Sequence, residues 1–166
     1  MMSHLAARSR PWFAKCPTQC LPAERWMFAL LLFGAASCGA SARFVGSPEL
    51  LDASRQGAAS VTVMRVSQFA GGGVSLPVEL DGTVIAHLGT GDCVRFYLPA
   101  GEHFVLMGKG TRSQLQKFEA SPGESLYFKF EVFTWDTDRQ WHFDRLSKEE
   151  GAKEFESGDY DLVGKK

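Results

Sequence analysis

The chain has 166 residues and a formal net charge of −1. This length suits one ordinary domain, with a core large enough to fold without disulfide staples. Residues 38–166 carry a net charge of −4 without a basic cluster, which argues against nucleic acid as a partner, because nucleic-acid binders gain affinity from clustered cations that displace counterions. It also argues against electrostatic adhesion to anionic lipid.

The first 37 residues have the layout of a secretory signal. Four basic residues and one acidic residue stand before the apolar run 26–36 (WMFALLLFGAA). This run has the length of a signal-peptide core and is too short for a spanning helix, which needs roughly 20 residues. We therefore predict a signal peptide over 1–37. Its removal leaves a mature chain with a net charge of −4.

Cys38 follows this signal directly after the small residues Ala35, Ala36 and Ser37. Small residues before a cysteine fit the narrow cleft of a signal peptidase, so Cys38 is predicted to carry a lipid such as palmitate. Leucine is more usual at the place of Ala35, and the segment 40–42 (ASA) offers an ordinary cleavage site instead. The protein is expected in the cell envelope, anchored to a membrane by this lipid. The alternative is a soluble periplasmic or secreted protein.

The segment 38–60 is small and polar, apart from an interruption at 48–51. We predict that it is a tether and linker with a short helix, which lets the domain stand off from the membrane. The folded domain is predicted over 61–157, and a flexible tail over 158–166.

From residue 61 the hydrophobic pattern has a period of two, which predicts β-strands. Asp81-Gly82 marks a tight hairpin, because both residues tolerate the positive φ of a type I′ turn. About eight short strands with frequent turns are typical of a sandwich or a barrel. The predicted strands are 61–66, 76–80, 83–88, 93–98, 103–109, 114–119, 125–135 and 140–146.

A short helix is predicted to close the domain. Ser147 and Glu150 have the spacing of a capping box, and Gly158 stands where the helix would end. Phe155 is the aromatic residue that would attach this helix to the sheet.

The turn residues and strands have a familiar arrangement. It consists of 61–65, the triple glycine 71–73, 76–82 (LPVELDG) and 95–103 (RFYLPAGEH). This arrangement resembles a family of bacterial envelope lipoproteins known only as a domain of unknown function. It is also similar to PEGA-type β-sandwich modules. The resemblance covers roughly 61–155.

The resemblance implies a lipid-anchored, all-β domain in a Gram-negative envelope. The expected fold is an immunoglobulin-like or PEGA-like β-sandwich of about seven or eight antiparallel strands, with a short C-terminal helix. The family offers no catalytic residues to carry over, and no cofactor is expected. Gly39 in place of aspartate after Cys38 implies transfer to the outer membrane, with the domain facing the periplasm.

Aromatic residues are the best candidates for a contact surface. Tyr127, Phe133 and Trp135 share one face of the predicted strand 125–135, and the other face is also apolar. Either both faces are buried, with the helix and Phe155 as a cover, or the aromatic side chains form an exposed platform. Such a platform would contact an envelope protein or a glycan. The candidate contact residues are Tyr127, Phe133, Trp135 and Trp141, with Phe143 beside them.

Two other sets of residues have chemical potential. His142 and Asp144 alternate on one strand and would share a metal ion only if His87 or His103 converged on them. His103 is expected instead to hydrogen-bond the backbone of the turn 99–101. Cys93 is expected to be a small buried residue or, alternatively, to form an intermolecular disulfide.

The leading expectation is a non-enzymatic envelope module that binds a protein or a polysaccharide, or that spaces components at the membrane. The alternatives are a small envelope hydrolase or metal-binding protein that uses His142 and Asp144, and a structural domain whose edge strand pairs with a partner.

Overall fold

The computed structural model describes residues 42–68, 73–135 and 138–164, without the side chains at 134, 135, 138 and 139. These residues belong to one compact unit, Cys38–Lys166. The predicted signal peptide and Cys38 itself lie outside the described residues.

The described chain is built mainly from short strands, with one α-helix near its end. Two short 3₁₀ helices, Pro48–Leu51 and Gly110–Arg112, lie between strands. In chain order the elements are β1 (Arg43–Phe44), β2 (Ala59–Arg65), β3 (Leu76–Leu80), β4 (Thr83–Leu88), β5 (Asp92–Leu98), β6 (Gly101–Met107), β7 (Gln114–Ala120), β8 (Ser125–Trp135), β9 (Asp138–Leu146), α1 (Lys148–Ser157) and β10 (Asp161–Val163).

The strands form two five-stranded sheets. Sheet A has the order β1-β4-β3-β6-β7 and is antiparallel throughout. Sheet B has the order β10-β5-β2-β8-β9. In sheet B, β2 pairs in parallel with β8, and β5 pairs in parallel with β10. Parallel neighbours need a long crossover, and between β2 and β8 the strands β3 to β7 supply it.

The hydrophobic core lies between the inner faces of the two sheets. Val61 and Phe128 from sheet B meet Val78 and Val105 from sheet A in one buried cluster, and all four are fully buried. Burial of such a side chain contributes roughly 1.5–3 kcal/mol to stability. The predicted all-β sandwich with a C-terminal helix is confirmed. The expectation of antiparallel pairing throughout is wrong for β2–β8 and β5–β10.

Local signals were reliable at the turns and at the helix start. Asp81 (φ 49°) and Gly82 (φ 80°) both have positive φ and connect β3 to β4, as predicted. Ser147 accepts a hydrogen bond from the backbone N–H of Glu150, and the Glu150 carboxylate reaches back to Ser147. The predicted capping box is therefore present at the start of α1.

The folded part extends beyond the predicted range 61–157 at both ends. In the segment 38–60, expected to be a linker, β1 joins sheet A and the 3₁₀ helix Pro48–Leu51 packs near β5. In the segment 158–166, expected to be a flexible tail, β10 joins sheet B through a bond of 2.9 Å from the Asp161 N–H to the Gly91 carbonyl. Strands of two or three residues show too little alternation to be recognised in sequence.

Helix α1 lies on the outer face of sheet B. Its buried residue Gly151 contacts Tyr127 of β8, and its Phe155 ring contacts Arg95 of β5. Within the described ranges, no helix combines the length and the apolar character that crossing a membrane requires.

Candidate binding groove

A groove of about 470 Å³ lies at one edge of sheet B, where β10 is the edge strand. Pockets that bind small molecules or peptide side chains typically have volumes of roughly 300–1,000 Å³. The groove is lined by Pro48, Leu51, Asp52, Arg95, Tyr97, Leu162, Val163 and Gly164.

The groove exists because β10 ends early. β10 pairs only with Asp92–Val94 of β5, while β5 itself continues to Leu98. Gly164 has a φ of 90°, which turns the chain after the last residue of β10. A Cβ at Gly164 would come within 3.2 Å of the Leu51 side chain, so glycine also lets the 3₁₀ helix approach closely.

The walls of the groove are mostly apolar. Pro48 and Leu51 come from the 3₁₀ helix, and Leu162 and Val163 come from β10. Asp52 provides a negative charge at the exposed rim. Hydrogen bonds from the hydroxyl and the backbone N–H of Ser54 lower the pKa of the Asp52 carboxyl.

Arg95 supplies the positive charge of the groove. Its Nε donates to Thr62 Oγ1 at 3.0 Å, and its guanidinium carbon lies 4.3 Å from the centroid of the Phe155 ring. The hydrogen bond and the cation–π contact restrict the side chain. In the part of the chain that the structure describes, Arg95 takes part in no salt bridge, so its charge is open to a bound anionic group.

The four candidate contact residues do not lie together. Tyr127 is on the outer face of sheet B, under α1, and Phe133 is on the same face, 38% exposed. Six residue steps along the strand place these two residues roughly 20 Å apart. Trp141 pairs with Val132 and packs against the core from the inner face, next to the buried Phe143. The side chain of Trp135 lies outside the described residues.

His142 and Asp144 lie on the outer face of β9, as their alternation predicted. They stand opposite Glu131 and Lys129 of β8, whose side chains form a salt bridge of 2.6 Å. The candidate third ligands, His87 and His103, lie on β4 and β6 of sheet A. The fold therefore does not bring either of them to His142. Among the described residues, no three His, Cys, Asp or Glu side chains are grouped to hold a metal ion.

Cys93 is fully buried in β5. Burial raises the pKa of its thiol to about 11. The thiolate is the nucleophilic form of cysteine, and only a very small fraction of Cys93 adopts it at neutral pH. Its complete burial gives the Cys93 thiol the role of a small packed group.

Sequence patterns alone did not point to the groove. Two of its walls come from 48–52 and 162–164, which were expected to be linker and tail. The interruption of the polar segment at 48–51 was the one visible signal. The groove depends on contacts between both ends of the domain and β5, and such long-range contacts leave no local pattern.

No protein-family model matches this chain, and no curated protein matches its sequence.

Proposed function

We propose that this protein is a lipid-anchored envelope protein whose β-sandwich is a non-catalytic binding module. The observation that carries the binding role is the groove beside β5, with its apolar walls and the positioned cation of Arg95. The ligand comes from the envelope, as a segment of another envelope protein or a glycan. No cofactor is needed for such a role.

The anchoring role rests on Cys38 and its signal-like leader. Arg43, the first residue of β1, is five residue steps along the chain from Cys38. A fully extended chain spans at most ~3.3–3.6 Å per residue, so this connection reaches at most about 18 Å. A lipid on Cys38 would therefore hold the sandwich close to the membrane surface, on a much shorter tether than the segment 38–60 suggested.

The non-catalytic role fits the chemistry of the groove residues. Arg95 and Tyr97 provide a fixed charge and a phenol, which orient a ligand, while the buried thiol of Cys93 is kept protonated. Outer-membrane location, with the domain facing the periplasm, is part of the proposal through the resemblance and Gly39.

Metabolic labelling with radioactive palmitate tests the anchor. The full chain should incorporate label and fractionate with membranes, and Cys38→Ala should lose both properties. Cys20→Ala, in the leader, is the matched control and should keep them. Label retained in Cys38→Ala, or an unlabelled mature chain beginning at Arg43, would mean that the lipid anchor is wrong.

Photo-crosslinking in cells tests the groove. A photoreactive residue at the exposed position 52 should form an adduct with an envelope component, and one at the exposed position 119 of sheet A should not. Leu51→Glu, which places a carboxylate in the groove, should abolish the adduct at position 52. An adduct that is insensitive to Leu51→Glu would contradict binding in the groove. Stoichiometric zinc that is lost in His142→Ala would support the metal-protein alternative.

A further inference from the structure

The edge of β5 is open along the groove. On one side, β5 pairs with β2 over Cys93–Leu98, and on the other side it pairs with β10 only over Asp92–Val94. Among the described strands, none pairs with 95–98 on the groove side. Arg95 and Tyr97 of this segment line the groove.

Hydrogen bonds of neighbouring residues show where the Tyr97 backbone points. Asp161 donates its N–H to the carbonyl of Gly91, the residue just before β5, so this carbonyl lies on the β10 side. Alternation along a strand extends this direction to Tyr97. On β2, Ser60 stands opposite Tyr97 and donates its N–H to Glu124, away from β5. The N–H and C=O of Tyr97 therefore point into the groove.

Open N–H and C=O groups on a strand are a template for a further strand. A peptide backbone satisfies them in the geometry that β10 already uses with the first half of β5. The side chains of such a peptide would alternate. In the register of β10 with β5, Leu162 shares the face of Arg95 and Val163 lies on the other face. Peptide side chains on the Val163 face would continue an apolar wall, which favours apolar residues, and one beside Arg95 would be favoured as an acid. Asp52 lies on the other wall and is occupied by Ser54.

We propose that the groove is a strand-addition site, which binds an extended peptide segment with alternating apolar side chains and an acidic residue beside Arg95. This proposal rests on the proposed binding function of the groove and names its ligand class. The added strand continues sheet B past the end of β10.

The test uses a capped pentapeptide, acetyl-Val-Thr-Val-Glu-Val-amide, labelled for fluorescence anisotropy and titrated into the full chain in detergent. Binding should weaken at least tenfold when alternate amides of the peptide are N-methylated, because methylation removes the strand hydrogen bonds and keeps the side chains. Replacing the glutamate by lysine should weaken binding several-fold. Hydrogen exchange of the Tyr97 amide should slow when the unmodified peptide is present.

Protein variants separate backbone from side-chain effects. Tyr97→Pro removes the N–H that points into the groove, and proline is tolerated where that group faces away from the sheet. Tyr97→Ala keeps the N–H and is the matched control, so Tyr97→Pro should lose more affinity than Tyr97→Ala. The exchange measurement on the wild-type chain gives the same answer without a substitution.

Peptide binding that is equal for the methylated and unmodified peptides, or a Kd weaker than ~1 mM, would overturn strand addition. If the crosslink at position 52 still forms and is lost in Leu51→Glu, the groove binds a ligand that is not a strand. The proposed function would then stand without this inference. If the peptide does not bind the wild-type chain and no crosslink forms at position 52, both proposals are contradicted.

Discussion

Gly151 of α1 lies directly against the ring of Tyr127 on β8. A Cβ built on Gly151 would overlap Tyr127 Cβ, Cγ and Cδ2, so only glycine allows the helix to approach the sheet this closely. This contact covers the outer face of β8 at Tyr127, while Phe133, further along the same face, remains 38% exposed. The apolar outer face of β8 had two explanations, burial under the helix or an exposed aromatic platform. At Tyr127 the outer face is covered by the helix.

Gly151→Ala should therefore destabilise the protein. Alanine is the better helix former by about 1 kcal/mol, but overpacking against a fixed ring typically costs about 1–3 kcal/mol. We expect a net loss of stability, measured by urea unfolding followed by tryptophan fluorescence. Lys153→Ala, at an exposed position of the same helix, is the control and should change stability by less than about 0.5 kcal/mol.

A double substitution identifies the source of the loss. Tyr127→Ala makes room for the extra methyl group, so Gly151→Ala should cost less in that background than in the wild type. Equal costs in the two backgrounds, or a stabilised Gly151→Ala, would contradict docking of α1 on Tyr127.

Asp81 and His103 tie the β3–β4 hairpin to β6. One Asp81 carboxylate oxygen accepts the Phe104 N–H at 2.9 Å, and the other lies 2.8 Å from His103 Nδ1. His103 Nε2 lies 3.1 Å from the Pro99 carbonyl, as expected from its place beside that turn. One histidine thus connects two turns.

Asp81→Ala should be more destabilising than Asp81→Asn. Asparagine tolerates the positive φ and can still accept the Phe104 N–H, so it loses only the charge beside His103, about 0.5–1.5 kcal/mol. Alanine loses both hydrogen bonds and tolerates positive φ poorly. Urea unfolding gives the order, with Glu102→Gln as an exposed control. Equal stability of the two Asp81 variants would show that turn conformation and the Phe104 bond contribute little.

Local chemistry explains which parts of the fold were predictable. β3, β4 and β8 have the predicted bounds because alternation and strong turn residues mark both of their ends. β1 and β10 are held by long-range pairing with β4 and β5, and their two or three residues carry no period. The groove is built from the segments next to β1 and in β10, so the sequence pattern could not reveal it.

The buried thiol of Cys93 should be unreactive in the folded protein. In a full-length variant with Cys16, Cys20 and Cys38 replaced by alanine, Cys93 is the remaining thiol. We expect almost no reaction with a disulfide reagent at pH 8 in the native state, and complete reaction in urea. Additional replacement of Cys93 by alanine gives the background. Rapid native reaction would mean that the strand bearing Cys93 opens easily.

The same thiol should make stability depend on alkaline pH. Burial raises its pKa from 9.0 to about 11, so the folded state favours the protonated form. Its contribution is fully present below pH 9 and is lost as the pH rises toward 11. Alanine is the reference substitution, because serine would add a buried hydroxyl. The melting temperature should be measured from pH 8 to pH 11 for the variant that keeps Cys93 as its remaining thiol, and for the same variant with Cys93→Ala. It should fall more steeply for the variant that keeps Cys93.

The capping box of α1 should give a dependence on acid pH. The hydroxyl and the backbone N–H of Ser147 donate to the Glu150 carboxylate and lower its pKa below the usual 4.5. A lowered carboxyl pKa means that the stabilisation is present above pH 4.5 and is lost as the pH falls through the folded-state value. Glu150→Gln should therefore melt at a lower temperature than the wild type at pH 7, and the gap should close in acid. Glu156→Gln, exposed in the last turn, should show no such gap. A gap of constant size for Glu150→Gln would mean that ionisation of the Glu150 carboxylate does not cause the difference, because a difference caused by ionisation must change with pH.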